Sequence, residues 1–470
     1  MSRINTNVSS LIAQRVLRSN NDGLNTSLER LSTGLKINSG RDNPAGLIAS
    51  ENLRAEKAGI NQAIDNAGRA SNIVGTAEGG LTEVSNLLTE LQSLVIATAN
   101  SGGLSQEEVA ANQLQIDSIL STINRISQST AFQGKKLLNG NFDYATSGVG
   151  ANTLDNIRVN AAKLPEGATV DVVVAVTTSA QTGVVTYGGG TIGAGGVTIE
   201  IAGNKGTQQL SFASGTAIAS IATAVNAIKE VTGVSATVSG SDLAISSTGF
   251  GSSQFVSVRA ISGTFNVTGG TNGKDFGRDA VVSLNGASAT AAGTAISYRS
   301  GGLDLAFDLN SAFNTAGSTT FTVTGGGANF ALGSKVNESD KESLGIQSVS
   351  TGNLGTSTLG YLSSLGSGQA NSLSSDNLTT AQGILDQAIK QVSQLRGRLG
   401  AFQKFTIGST VNALGVALEN ASAAESAIRD TDFAEETANL TRSQILSQAA
   451  SSVLAQANAS PQAALQLLRG

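Results

Sequence analysis

The stretch Leu385-Asp386-Gln387-Ala388-Ile389-Lys390-Gln391-Val392-Ser393-Gln394-Leu395-Arg396-Gly397-Arg398-Leu399-Gly400-Ala401-Phe402 decides the fold. Its apolar positions Leu385, Ile389, Val392, Leu395, Leu399 and Phe402 advance by threes and fours, which sets one narrow stripe along a helix. Such a stripe needs a facing helix. The comparable pattern lies at the opposite end of the chain, in Ile60, Ile64, Ala67, Ser71, Val74, Leu81, Val84, Leu88, Leu91 and Val95. The two ends are therefore expected to meet as a long antiparallel helical coiled-coil rod, and everything between them is an insertion.

Composition narrows the class further. The 470 residues include no Cys, His or Trp, one Met and three Pro, against 56 Gly. That usage removes disulfides, thiolate and imidazole metal ligands and most catalytic side-chain combinations, so no enzyme, cofactor or metal is expected. A net charge of −5 without a basic stripe argues against nucleic acid, and no apolar run is long enough for membrane insertion. The N-terminus lacks the apolar run of a cleavable signal peptide, which by itself points to the cytoplasm.

Working outward, residues 1 to about 37 carry Ile4, Val8, Leu11, Ile12, Leu24, Leu28 and Leu31 at helical spacing, with Ser19-Asn20-Asn21-Asp22-Gly23 read as an interruption. Asn43 is suited to cap a new helix with Pro44 at its first position, where a missing N–H costs nothing. That helix has no strong breaker before Asn100-Ser101-Gly102-Gly103. Ser105 and Glu108 form a capping box for a third helix carrying Leu114, Ile116, Ile119, Leu120, Ile123 and Ile126. Residues 132–159 read as turn and hairpin against the bundle.

Past Pro165 the period becomes two. Val197, Ile199 and Ile201, then Val234, Ala236 and Val238, then Leu303, Leu305, Phe307 and Leu309 alternate with polar or small residues, with one helix from Thr216 to about Val231 between them. Nine of the fourteen Phe fall here, enough for a separate core. The expected class is α+β and multidomain. Residues 1–43 and 428–470 form terminal helices, 44–165 and 372–427 a helical bundle with a hairpin, and 166–371 an inserted mainly-β domain, with two subdomains an option. Two ligand motifs read better as structure. Gly188-Gly189-Gly190-Thr191-Ile192-Gly193 lacks the Lys-Ser/Thr of a phosphate loop, and Asp304, Asp308 and Asn310 lie on an alternating strand rather than in a calcium loop.

Two terminal strings carry a family resemblance. Arg30-Leu31-Ser32-Thr33-Gly34-Leu35-Lys36-Ile37-Asn38-Ser39 with Arg41-Asp42-Asn43-Pro44-Ala45-Gly46-Leu47, and the run from Ser422 to Glu436 followed by Ser443-Gln444-Ile445-Leu446 and Ser452-Val453-Leu454-Ala455-Gln456-Ala457-Asn458, resemble bacterial flagellins. Gly196–Ile261 resembles the repeat of flagellin and hook-associated outer domains, with Lys274–Asn310 as its continuation. The resemblance implies a subunit of the flagellar filament, secreted by the flagellar export route with its chaperone and export gate, and meeting itself, the filament cap and hook-associated proteins. A hook–filament junction protein is the alternative. A zinc protease carried in the outer domain would need a His that this chain lacks.

The residues expected to carry self-assembly are Ile4, Val8, Leu11 and Ile12 at one end and Ile445, Leu446, Val453, Leu454, Leu465, Leu467 and Leu468 at the other. Rod packing is assigned to Ile60, Ile64, Val74, Leu81, Leu88 and Leu91 against Leu385, Ile389, Val392, Leu395, Leu399 and Phe402. The ends of the monomer are expected to be disordered and to fold on polymerisation, with Asp432 capping the last helix and Pro461 breaking it. Flagellins that activate the vertebrate Toll-like flagellin receptor resemble one another in an arginine-bearing helix stretch. Here the matching Leu88-Thr89-Glu90-Leu91-Gln92-Ser93-Leu94-Val95-Ile96-Ala97 has no arginine, which implies weak or no activation.

Overall fold

The computed structural model describes residues 6–100, 103–165, 168–375 and 377–469, with side chains through residue 460. The helices are α1 (Val8–Thr33), α2 (Pro44–Thr98), α3 (Gln106–Ser129), α4 (Ile218–Ala227), α5 (Lys229–Thr232), α6 (Leu378–Ala401), α7 (Gly408–Arg429) and α8 (Phe433–Arg469), with a π-helical turn Phe402–Ile407 between α6 and α7. Helical ends flank a mainly-β middle, so the chain is an α+β multidomain protein. It divides into two compact units, Met1–Gly68 with Leu332–Val336 and Ile407–Gly470, and Arg69–Ala331 with Asn337–Thr406.

The first unit holds α1, the start of α2, α7 and α8. Its helix starts follow local chemistry. Asn43 Oδ1 accepts the Gly46 N–H at 2.9 Å to cap α2, and Asp432 Oδ1 accepts the Ala434 and Glu435 N–H groups at 2.9 and 3.2 Å to cap α8. Between α1 and α2, Ile37 is buried and Gly46 lies against it so closely that a Cβ there would come within 2.6 Å of Ile37 Cδ1. Glu425 takes Lys57 at 2.8 Å, and Glu51 takes Arg429 at 3.1 Å. Two residues assigned to the rod stripe, Ile60 (buried) and Ile64 (half-buried), lie in this unit.

The second unit holds three apolar cores. The helical core joins Val74, Leu81, Leu88 and Leu91 of α2, Ile116, Ile119, Leu120 and Ile123 of α3, and Leu385, Val392, Leu395 and Leu399 of α6, with Ile389 and Phe402 packed at its side. The predicted capping box starts α3, with Ser105 Oγ accepting the Glu108 N–H and Glu108 Oε2 accepting that of Ser105. Leu344, Ile346, Val349, Leu354, Leu362, Leu365 and Leu373 belong to this core too. Leu373 falls in the bundle as read from the sequence, whereas Leu344 to Leu365 read as insertion because they are spaced irregularly among Ser, Gly and Thr. They enter the core from loops and single turns, which carry no period to read.

The second core is a sandwich of two antiparallel sheets. One has strands Ala287–Ser288, Val281–Leu284, Val170–Thr178, Gly317–Gly326 and Tyr144–Ser147 in that order. The other has Thr290–Ala292, Ala295–Arg299, Leu303–Leu309 and Leu154–Ala162. Strands 144–147 and 154–162, read as a hairpin against the bundle, are thus members of the sandwich; the bundle keeps only the hairpin Ala131–Phe132/Lys135–Lys136 and the buried Leu137 and Leu138. A boundary at residue 165 cuts the sandwich, and one at 372 cuts the helical core.

The third core lies between two four-stranded sheets and α4, and includes Val197, Ile199, Ile201, Ile221, Val225, Val234, Ala236, Leu243 and Ile245. It contains the repeat-like segment Gly196–Ile261. Lys274–Asn310 does not simply continue it. Lys274–Phe276 pairs with Phe255–Ser257, whereas Val281–Leu309 lies in the sandwich. The chain crosses at Gly277, where a Cβ would stand 2.4 Å from Gly251 O and 2.5 Å from Gln181 O. Asp304, Asp308 and Asn310 sit on one sandwich strand and its end, and their side chains bond to Asn160 and Arg299, to Asn156 and to Asp155 respectively.

Candidate assembly interface

Helices α1 and α8 run antiparallel within the first unit, held along their length by paired polar contacts. Asn7 Oδ1 accepts the Ser10 N–H at 3.1 Å and caps α1, while Asn7 Nδ2 donates to Ala457 O at 2.8 Å. Ser10 Oγ donates to Asn458 Oδ1 and Ser447 Oγ to Asn21 Oδ1, each at 2.7 Å. Arg30 meets Glu436 at 3.5 Å, and the Thr431 N–H donates to Gly34 O at 2.9 Å. Asn21 lies inside the cluster 19–23 that the sequence reads as a break. α1 runs through it unbroken, because its amide is used against α8 rather than against its own backbone.

The Asn7 contact also accounts for Pro461, which lies within the bounds of α8 instead of ending it. Proline has no N–H, so the carbonyl four residues earlier loses its helical donor. That carbonyl is Ala457 O, and the Asn7 amide supplies the missing hydrogen.

Polar contacts fix the register of the pair, but apolar burial is nearly absent. Among the described residues of α1 and α8, Ala13 and Ala450 are the buried apolar side chains. Val8, Leu11, Ile12, Ile445, Leu446 and Val453 are 46–63% exposed, and Leu454 is half-buried. Ile4, Leu465, Leu467 and Leu468 have side chains outside the described residues. An open groove of about 290 Å³ runs along the pair, lined by Ile12, Ala13, Val16, Leu446, Ala450 and Val453 among others. Sequence reasoning passed over Val16, which continues the stripe four residues after Ile12, and Phe433 at the start of α8; both are exposed on this pair.

Two family models match the ends of the chain, the bacterial flagellin N-terminal helical region over residues 4–143 and the C-terminal helical region over 382–468. Similarity extends across the whole chain to flagellin D of Vibrio anguillarum, 31% identical over 482 residues, and to flagellin B of Vibrio cholerae, 30% identical over 483. Each alignment covers 99% of both chains. The chain belongs to the bacterial flagellin family. It is therefore a structural subunit of the flagellar filament, and the hook-associated alternative has no better support. Among solved structures, flagellar cap protein domains from Serratia marcescens align with 20% identity and a TM-score of 0.26, over 36% of this chain and 97% of theirs.

In this flagellin no helix among the described residues is long and apolar enough to cross a membrane, and no group of three or more His, Cys, Asp or Glu is placed to hold a metal. The stretch 88–97 lies on α2 with Leu88, Leu91 and Val95 in the helical core. Thr89, Glu90, Ser93, Ile96 and Ala97 are its exposed residues.

Proposed function

We propose that α1 and α8 form the subunit-to-subunit surface of the filament, and that they order and polymerise as one event. The observation that carries this is their exposed apolar side chains against two buried alanines. Ordering a residue costs roughly 1–2 kcal/mol in backbone entropy, and a helix pair that buries so little apolar area recovers little of it in water. A second subunit laid along the groove would cover Ile12, Val16, Leu446 and Val453 together. Head-to-tail contacts that do not close on themselves extend into a helical polymer.

On this reading residues 1–43 and 428–470 make the filament core, the helical bundle surrounds it, and the β cores face outward. The subunit reaches the cell exterior through the flagellar export gate, its apolar end held beforehand by a chaperone, and meets the cap and hook-associated proteins. Hydrogen exchange on monomer and polymer tests the coupling. Both terminal helices should exchange freely in the monomer and become protected in the polymer; strong protection of both in the monomer would overturn it.

The same reading gives weak or silent activation of the Toll-like flagellin receptor. The exposed residues of 88–97 include an acid and no base. A missing charge-assisted contact costs on the order of 2–5 kcal/mol at an interface. A reporter-cell assay showing potency equal to that of an arginine-bearing flagellin would refute it.

A further inference from the structure

Within the second unit, a crevice separates α6 from the sandwich strands Leu154–Ala162 and Ala295–Arg299. One chamber of about 440 Å³ is lined by Arg158, Arg299 and Arg398, by Asn160, Gln347, Gln391 and Gln394, and by small or apolar residues, and no carboxylate lines it. The chamber is short of acceptors. Among the described residues, the Arg158 guanidinium has no hydrogen-bond partner. Arg398 donates only from Nη2, to Gly345 O at 3.1 Å. Arg398 Nε and Gln347 Nε2 are both out of contact with solvent and unpaired. A buried donor left unmade costs about 1–3 kcal/mol, so two beside one chamber are unusual in a finished interior.

The surrounding charges do not cancel this shortage inside the chamber. Arg299 is paired with Asp304 at 2.7 Å, and Asp304 also takes the Asn160 amide. Asp308 takes the Asn156 amide, and Asp143 accepts the Tyr144 N–H while lining the neighbouring chamber that shares Arg158. Burial lowers Arg158 from the ordinary arginine value and takes Arg398 down to about 10. Asp308 and Asp143 attract Arg158, and Asp304 and Asp143 attract Arg398, but none of these carboxylates lines the chamber.

We propose that this chamber binds a small oxyanion, a phosphate or a carboxylate, between Arg158 and Arg398. Planar guanidinium forks match the paired oxygens of such groups. Occupancy would tie α6 of the helical core to the sandwich strand that bears Arg158, stiffening the join between them.

The test is isothermal titration of the full-length monomeric chain with inorganic phosphate and, separately, malonate, at ionic strength held constant with chloride. Saturable one-to-one binding of either anion is expected. Arg158→Gln and Arg398→Gln should each weaken it about tenfold, the effect of one lost charge-assisted hydrogen bond. Asp143→Asn, which keeps an acceptor for the Tyr144 N–H but removes a negative charge beside the chamber, should strengthen it. That variant also serves where an arginine variant fails to fold. No saturable binding of either anion to the wild-type chain would overturn the proposal, as would affinity unchanged in Arg158→Gln or in Asp143→Asn.

Discussion

The helical core of the second unit and the α1–α8 pair are written in the same code, apolar residues at steps of three and four, and they end in opposite states. Leu81, Leu88, Leu91 and Leu385 are fully buried, while Leu11, Ile12, Ile445 and Leu446 keep about half their surface. The difference is what covers the stripe. In the core, α2, α3 and α6 are roofed by Leu137 and Leu138 and by the loop residues of 344–373. The terminal pair has polar contacts to fix its register and nothing described on its remaining face. Periodicity identifies an apolar face; whether that face is core or contact surface depends on how many other elements reach it.

The largest test of this contrast is a pair of deletions. Joining Asp143 to Leu344 removes both β cores and keeps every buried residue of the helical core, because Phe142 and Ile346 already lie side by side in a β-bridge. Replacing residues 165–360 with a linker instead removes Leu344, Ile346, Val349 and Leu354 from the helical core and strands 144–147 and 154–162 from their partners. With about 2–5 kcal/mol for each large buried side chain lost, the second variant should not fold. The first should be soluble and form filaments by electron microscopy; equal behaviour of the two would show that the 344–373 segment does not stabilise the bundle.

Smaller effects separate the two stripes directly. Leu385→Ala should cost about 2–5 kcal/mol in monomer stability by urea unfolding, as for other fully buried leucines. Leu446→Ala should leave the monomer almost unchanged and raise the critical concentration for polymerisation about tenfold or more, the scale of one good interface contact. If Leu446→Ala destabilised the monomer as much as Leu385→Ala, the terminal pair would be core and not contact surface.

These contrasts also mark how much was legible beforehand. Helix starts at Pro44, Gln106 and Phe433 could be read, because each is set by a cap within three residues, Asn43, Ser105 and Asp432. The alternating strands could be read because one face of each is buried. Leu344 to Leu365 could not, since loop residues reach a core by tertiary path alone. Nor could the crossing at Gly277, where close backbone approach and not hydrophobic pattern decides the route. The arginine chamber escaped notice because Arg158, Arg299 and Arg398 are far apart in sequence and each looks like an ordinary surface charge until strand pairing and α6 bring them together.

The helix pair has its own internal test, at about 1 kcal/mol. Asn7→Ala removes both the cap of α1 and the donor to Ala457 O, a loss of about that size. Pro461→Ala restores a backbone N–H that can reach Ala457 O, so α8 no longer depends on Asn7. In polymer melting, Asn7→Ala should therefore cost less in the Pro461→Ala background than in the wild type. Strict additivity would mean that the two ends of the pair are not coupled through that carbonyl.

The smallest expected effect lies where the two β cores meet. Asp279 accepts the Ser252 hydroxyl, the Gly293 N–H at 2.7 Å and the Ser252 N–H at 3.0 Å. Ser252 precedes the third-core strand Phe255–Ser262, and Gly293 forms the turn between sandwich strands Thr290–Ala292 and Ala295–Arg299. The Ser252 hydroxyl, then the two N–H groups, hold the Asp279 carboxyl below its ordinary value of 3.8. A carboxyl with a lowered folded value adds stability that is present above its unfolded value and is lost as pH falls through the folded one. Asp279 is only half-buried, so solvent screening should keep the contribution below about 1 kcal/mol. Asp279→Asn should lower the stability of the β region slightly at neutral pH, and the gap between variant and wild type should close as pH falls through the lowered folded value, below the ordinary 3.8. Urea midpoints across that range decide it. A gap that persists in acid would mean that Asp279 acts through shape and not through charge.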